Sequence, residues 1–240
     1  MFCLNHQTLR VDKNIILNDI SLSIAQGERV ALIGVSGAGK SSLLSLLCQQ
    51  HPDQVALCPQ DNALVDTLSV YQNIYMGALA RHNNVYNLLN LIRPWPVRKA
   101  EVEHIASDLG IAQYLFTSPN NLSGGERQRV ALGRALYRHK PIFIGDEPVS
   151  SIDPQQGQQL LQHVLNQHDT AIVALHSPKM ALRYFTRVIA LRNGKIIGDW
   201  SSNDIDVTQL HAVYLNQQVS NLVKDSAQNS TVHNDFQRIE

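Results

Sequence analysis

Residues Gly34, Val35, Ser36, Gly37, Ala38, Gly39, Lys40 and Ser41 match the pattern G-x-x-x-x-G-K-[ST] without a gap, and Ser42 follows directly. Each residue type there has a task in holding phosphate. Glycines let backbone N–H groups turn inward around an anion. A helix that starts where the loop ends points its positive pole at the same charge. Lys40 would reach the terminal phosphates of a nucleotide, and the Ser41 hydroxyl would hold Mg²⁺. An apolar run from Arg29 to Ile33 leads in, and a helix-like run from Ser41 to Leu47 leads out. A glycine-rich turn before a core helix is the plain alternative, and the strand–loop–helix context argues against it. The sequence therefore predicts binding of a nucleoside triphosphate.

Two further runs carry charge chemistry. Leu122, Ser123, Gly124, Gly125 and Glu126 open a helix-like run that continues to Tyr137. Ser123 and Glu126 have capping-box spacing, and the same helix start could receive an anion. The P-loop already has its own helix, so this second end is best explained by another molecule's nucleotide. Downstream, an apolar run ends at Asp146 and Glu147. Side chains alternate along a strand, so the two carboxylates need not share one job. Asp146 suits the Mg²⁺ site, and Glu147 suits polarising the attacking water. His176 closes another apolar run, Thr170 to Leu175, where it could contact the γ-phosphate or the water.

In this order the four elements resemble the ATP-binding cassette (ABC) ATPases, over residues 1 to about 200. The resemblance implies an α/β P-loop NTPase fold: a mixed central sheet, an antiparallel β subdomain and a helical subdomain over about 61–140. Gly34 to Ser41 would be Walker A, Ile142 to Asp146 Walker B, and Leu122 to Glu126 the signature motif. Gln60 is similar to the Q-loop glutamine, a contact for Mg²⁺ and water. Ser150 to Asp153 resembles the D-loop, which crosses a dimer interface, and His176 resembles the switch histidine. Ser123, Gly124, Gly125, Glu126 and Asp153 would then meet the nucleotide of a second cassette in a head-to-tail dimer. ATP and Mg²⁺ are the implied ligands. A second cassette, transmembrane permease subunits and a substrate-binding protein are the implied partners, at the inner face of the cell membrane. The stretch Leu68 to Gly77, with the helical insert that runs on to Val97, is similar to the ATPase subunits of phosphonate-type importers. Exporter, lipoprotein-release and soluble regulatory ATPases share the cassette and remain alternatives. A P-loop kinase would not predict Leu122 to Glu126.

Two departures from the family pattern stand out. The aromatic residue on which the family stacks adenine falls at or near Val11, and no Tyr, Phe or Trp lies between Phe2 and Tyr71. Losing that stack would weaken nucleotide binding by roughly 1–3 kcal/mol. The segment between Lys40 and Gln60 is also shorter than the family places there, so the antiparallel subdomain is expected to be trimmed.

The elements that must position these residues are legible in outline. Asn14 to Ile24, with Ile16, Ile20, Leu22 and Ile24, reads as a strand, followed by a turn at Gln26-Gly27. Ser69 is placed to cap one helix, Val97 to Leu109 reads as another, and Pro154 opens a third to about His168. Arg187 to Ile197 reads as a hairpin around Asn193-Gly194. Leu210 to Leu215 is expected to form a short helix, and the polar stretch from Gln217 a loose tail. A chain with 44% apolar residues can pack one domain of ordinary size. Its 20 basic and 20 acidic residues cancel, and nothing in that balance points to the basic surface expected of a nucleic-acid binder. Arg93 to Lys99, basic with one aromatic, reads as a solvated turn. Cys3, Cys48 and Cys58 have neither metal-ligand spacing nor a disulfide framework and read as reduced thiols of a cytoplasmic chain. No signal-peptide pattern opens the chain. No stretch approaches the roughly 20 apolar residues of a membrane span, so any pore would be another polypeptide.

Overall fold

Runs rich in Val, Ile, Leu and Ala form the strands. These are β1 (Phe2–Val11), β2 (Asn14–Ile24), β3 (Arg29–Ile33), β4 (Val55–Cys58), β5 (Ile142–Asp146), β6 (Thr170–Ala174), β7 (Arg187–Arg192) and β8 (Lys195–Ser201). The computed structural model describes residues 1–212. Of the expected Leu210–Leu215 helix, residues 210–212 are helical, closing an α-helical segment over 207–212; residues 213–215 and the polar stretch from Gln217 lie outside the described residues. β1 and β2 pair antiparallel as a two-stranded sheet. The other six strands form one sheet in the order β4-β5-β6-β3-β7-β8, parallel except for β8, which runs antiparallel to β7. This is the mixed central sheet expected from the sequence.

Residues alternate between the two faces of that sheet, and both faces are covered. Val30, Leu32, Ile144 and Ile172 pack on one side with Leu43, Leu44 and Leu47 of helix α1 (Lys40–Gln50) and with Leu17, Ile20 and Leu22 of β2. Ala31, Ile33, Phe143 and Val173 pack on the other side against the helices that follow. Burial on both faces explains why the parallel strands read as continuous apolar runs. Only residues 51–54 join α1 to β4, and among the described residues no further strand pair extends the β1–β2 sheet, which meets the expected trimming.

The helices begin at capping residues that the sequence supplies. Ser69 and Gln72 form a capping box on α2 (Val70–Tyr75). Asn83 caps α3 (Asn84–Ile92), and Pro96 opens α4 (Pro96–Asp108), so half of the presumed Arg93–Lys99 turn is helical. The reason is the fixed φ of proline, which suits a first helical position. Ser123 and Glu126 form the capping box of α5 (Gly124–Leu136). Asp153 caps α6 (Pro154–Asn166), and Ser177 caps α7 (Pro178–Tyr184). Each such cap contributes about 0.5–2 kcal/mol.

Candidate active site

Parallel strands deliver residues distant in sequence to one edge. β6 lies between β3 and β5, with Leu32 level with Ala174 and Ala174 level with Asp146. The loop after β3, the carboxylates ending β5 and His176 just past β6 therefore meet at the carboxyl ends of the sheet, where α/β folds bind ligands.

The loop from Gly34 to Gly39 wraps the start of α1. Gly37 (φ 77°) and Gly39 (φ 103°) hold left-handed backbone, a conformation that costs glycine little. A Cβ on Gly39 would sit 2.8 Å from the Leu17 side chain, so β2 clamps the loop from outside. Lys40 is buried; its Nζ donates to the Gly34 carbonyl at 2.8 Å and the Val35 carbonyl at 3.2 Å, and lies 3.9 Å from Glu147 Oε1. Burial lowers the Lys40 pKa, opposed by Glu147 and Asp146. Val35, Ser36 and Ala38 complete the loop, and Ser41 and Ser42 begin α1.

Ser41, Gln60 and Asp146 line one cavity of about 820 Å³. Asp146 is buried, the Ser41 hydroxyl lies close enough to its carboxylate to lower its pKa, and its Oδ1 has no hydrogen-bond partner. An orphaned carboxylate oxygen beside a hydroxyl fits a hard, oxygen-liganded cation such as Mg²⁺. Among the described residues no group of three His, Cys, Asp or Glu side chains could hold a metal unaided. That suits an ion that keeps its waters and arrives with phosphate. Desolvation raises the Asp146 pKa above the ordinary carboxylate value, partly offset by the Ser41 hydrogen bond. The folded chain then holds this proton more tightly than the unfolded chain. Stability is accordingly lost as pH rises from about 4 through the raised folded value. Asp146→Asn, without Mg²⁺, is expected to raise the melting temperature at pH 7, with the gap closing below the carboxylate range. Thermal melts across pH check this, and a pH-independent gap would contradict it.

Glu147 stands one residue past β5 with φ 54°, a strained setting for a non-glycine residue that costs about 1–3 kcal/mol. Its N–H donates to the Ala174 carbonyl at 3.1 Å. Its Oε1 is 2.5 Å from His176 Nε2. Glu147 lies one residue beyond the end of β5 at Asp146, and Lys40 and His176, which pair with Glu147, also act electrostatically on Asp146.

Gln128 is a residue that the sequence reading missed. It is buried on α5; its Nε2 donates to the Glu147 carbonyl at 2.7 Å, and its Oε1 accepts from the Ser151 N–H at 2.8 Å. One amide thus fastens the helix behind Ser123 to both Glu147 and the 150–153 loop. A glutamine two positions past Glu126 was the available signal, and its burial was not legible. Gln128→Ala is expected to cost about 1–3 kcal/mol of stability and to lower kcat with the ATP Kd unchanged, because it touches no phosphate. An unaltered kcat would reduce Gln128 to a packing residue.

Ser123, Gly124, Gly125 and Glu126 line a second cavity, of about 560 Å³, with Ser151 and Asp153. Glu126 Oε2 accepts from the Ser123 N–H and hydroxyl, each at 2.8 Å, and these bonds hold the Glu126 carboxyl below its ordinary pKa. A Cβ on Gly125 would meet the Ser151 carbonyl at 2.9 Å, so glycine allows the loop to approach the helix end. Asp153 accepts from the N–H groups of Gln155 and Gln156 at 3.0 and 3.3 Å. Val11 ends β1 opposite Asn14 and is 53% exposed.

Comparison with known proteins gives concordant results. A family model described as ABC transporter matches residues 17–55 and 48–150. The two pieces overlap at 48–55, across the short α1-to-β4 connection. Phosphonates import ATP-binding protein PhnC 1 of Pseudomonas savastanoi pv. phaseolicola is 34% identical over 238 residues, covering 87% of this chain and 89% of that protein. The PhnC protein of Pseudomonas putida is 35% identical, with 85% and 86% covered. A dimeric bacterial ABC transporter cassette superposes with TM-score 0.71 at 24% identity, covering 84% of this chain and 99% of that chain.

Proposed function

The chain belongs to the ABC transporter family as an ATP-hydrolysing cassette, and from that premise we propose that it powers import of a phosphonate or related oxyanion. It works as a head-to-tail dimer with transmembrane permease subunits and a substrate-binding protein, at the inner face of the cell membrane. The observation that carries the dimer is the separation of the two phosphate-reading ends. Ser41, Gln60 and Asp146 line one cavity, Ser123 to Glu126 and Asp153 line another, and the two share no residue. The signature end of one chain therefore serves the nucleotide of a second. The importer reading is supported by relatives that carry the name Phosphonates import ATP-binding protein. Among the described residues no helix is long and apolar enough to cross a membrane, so this reading leaves the pore to the permease subunits.

The residues divide the work as follows. Lys40 and the loop N–H groups hold the β- and γ-phosphates of ATP, and Ser123 with the N-terminus of α5 closes on the γ-phosphate from the partner. Glu147 takes a proton from the attacking water, the bond from the γ-phosphorus to the bridging oxygen breaks, and ADP leaves with the electron pair. His176 holds Glu147 in position and reaches the γ-phosphate. Asp146, Ser41 and Gln60 would hold Mg²⁺, which supplies charge neutralisation at the phosphates when bound. Val11 packs on the base in place of an aromatic ring. Val11→Tyr is expected to tighten ATP binding by about 1–3 kcal/mol; an unchanged Kd by calorimetry would remove Val11 from the base site.

The substrate assignment is tested in cells that lack this gene, with a phosphonate as the sole phosphorus source. Growth should fail on phosphonate, persist on inorganic phosphate, and return with the intact gene. Undiminished growth on phosphonate would overturn the assignment while leaving the ATPase chemistry untouched.

A further inference from the structure

The β7–β8 hairpin ends on the phosphate loop. β7 runs beside β3, with Ile33 level with Ala190. Gly34 therefore leaves the sheet next to Leu191, and a Cβ on Gly34 would sit 2.5 Å from the Leu191 carbonyl oxygen. Past that level the hairpin reverses in two residues, Asn193 and Gly194, between the paired Arg192 and Lys195. Both have positive φ, 46° and 73°, as a type I′ hairpin turn requires. Gly194 is buried, whereas Asn193 and Lys195 are exposed, so one side of the turn is packed and the other faces solvent. At the base of the hairpin, Arg187 makes two 2.7 Å contacts with Asp199 of β8 and donates to the Ser23 carbonyl of β2 at 2.8 Å. The hairpin is thus fastened to β2 at its base, and the turn is held in place over the loop.

Gly194 joins two elements through its own backbone. Its N–H donates to the Ala38 carbonyl at 3.1 Å, and its carbonyl accepts from the Asn18 N–H of β2 at 2.8 Å. The first of these bonds bears on phosphate. The Ala38–Gly39 peptide is trans, and the C=O and N–H of a trans peptide point in opposite directions. With the Ala38 carbonyl drawn outward to the turn, the Gly39 N–H faces away from it, on the side of the loop left for an anion. Gly39 stands at the N-cap of α1, where backbone donors and the helix pole act together on a phosphate. No residue with a side chain fits at 194. A Cβ there would overlap the Ile16 carbonyl oxygen and come within 3.1 Å of the Leu17 Cα. Both are backbone atoms of a strand and cannot rotate aside as a side chain would, and the φ of 73° adds strain for any residue but glycine.

We propose that Gly194 is a positioning residue for ATP: its N–H holds the Ala38 carbonyl outward, and so turns the Gly39 N–H toward the phosphates. This rests on the reading of Gly34 to Ser41 as the ATP-binding loop. Gly194 touches neither nucleotide nor reacting atoms, and Glu147 and His176 take no part in its contacts. Its loss therefore weakens binding of ATP without a matching change in the chemical step. A hairpin turn far downstream in the chain thereby sets the shape of the phosphate loop.

The test is calorimetric titration of the purified full-length protein with ATP, alongside turnover and thermal melts. Gly194→Ala should raise the ATP Kd about ten- to a hundredfold, the range for one charge-assisted hydrogen bond. Its kcat at saturating ATP should stay within about twofold of wild type. The Gly39 amide resonance should move in the nucleotide-free variant. Asn193→Val strains the same turn from its exposed side, and should lower the melting temperature with the Kd unchanged. Where Gly194→Ala does not fold, glycolic acid at position 194 exchanges only the N–H for an ester oxygen, adds no Cβ, and should raise the Kd over the same range. Lys40→Ala is the reference for the loop itself. An unchanged Kd in Gly194→Ala or in the ester overturns the proposal, and a weakened Lys40→Ala beside it leaves the ATP reading standing. An equal rise in Kd in Asn193→Val also overturns it, because stability of the turn would then suffice. An unchanged Kd in Lys40→Ala would overturn the reading of the loop, and the proposal with it.

Discussion

Replacing Glu147 with glutamine is expected to lower ATP turnover by about 10²–10⁴-fold, the range that a positioned general base supplies, while ATP binding survives. The substitution preserves shape, so the contact with His176, the Gln128 clamp on the Glu147 carbonyl and the unusual φ can all persist. The negative charge that accepts the water's proton is what is lost. The variant should therefore close around ATP and stay closed. Light scattering should show a monomer without nucleotide and a dimer with ATP and Mg²⁺, alongside a turnover assay. Fast turnover in Glu147→Gln would remove Glu147 from the base role. A monomer under both conditions would mean that the missing aromatic and the trimmed segment have weakened closure, or that the membrane partner is required for it.

Lys40→Ala is expected to be as severe at the binding step. Truncating one side of a buried, hydrogen-bonded charge pair costs about 2–5 kcal/mol, or roughly thirty- to several-thousand-fold in Kd. The buried ammonium lies at the end of the loop that would hold the phosphates, and its positive charge also restrains the rise in the Asp146 pKa. Without it, Asp146 and Glu147 lack their nearest buried cation. The nucleotide-free variant should then lose stability more steeply than wild type as pH rises above the carboxylate range. Calorimetric titration with ATP and thermal melts across pH measure the two effects. An unchanged Kd would place the phosphates elsewhere.

Element boundaries show where reading the sequence succeeds. β2 and β5 fall on the expected residues, and the helix caps at Ser69 and Ser123 follow from local side-chain chemistry. The Arg93–Lys99 run reads as a solvated turn, but Pro96 opens α4 within it, because the fixed φ of proline suits a first helical position. Gln128 was missed because a glutamine on a helix is ordinarily solvated, and only packing shows that it is buried.

The sequence by itself determined what depends on neighbours along the chain: the phosphate loop and its helix, the capped signature helix, the carboxylate pair, the missing aromatic and the short α1-to-β4 connection. These are local because turn conformation, capping and motif spacing are decided within a few residues. Only the tertiary structure decided which distant pieces meet. The strand order sets β6 between β3 and β5 and so brings Lys40, Glu147 and His176 to one edge. It also leaves Ser123 and Asp153 lining a different cavity from Ser41. That ordering arises from covering both faces of one sheet at once, a requirement of the whole chain that no single segment carries.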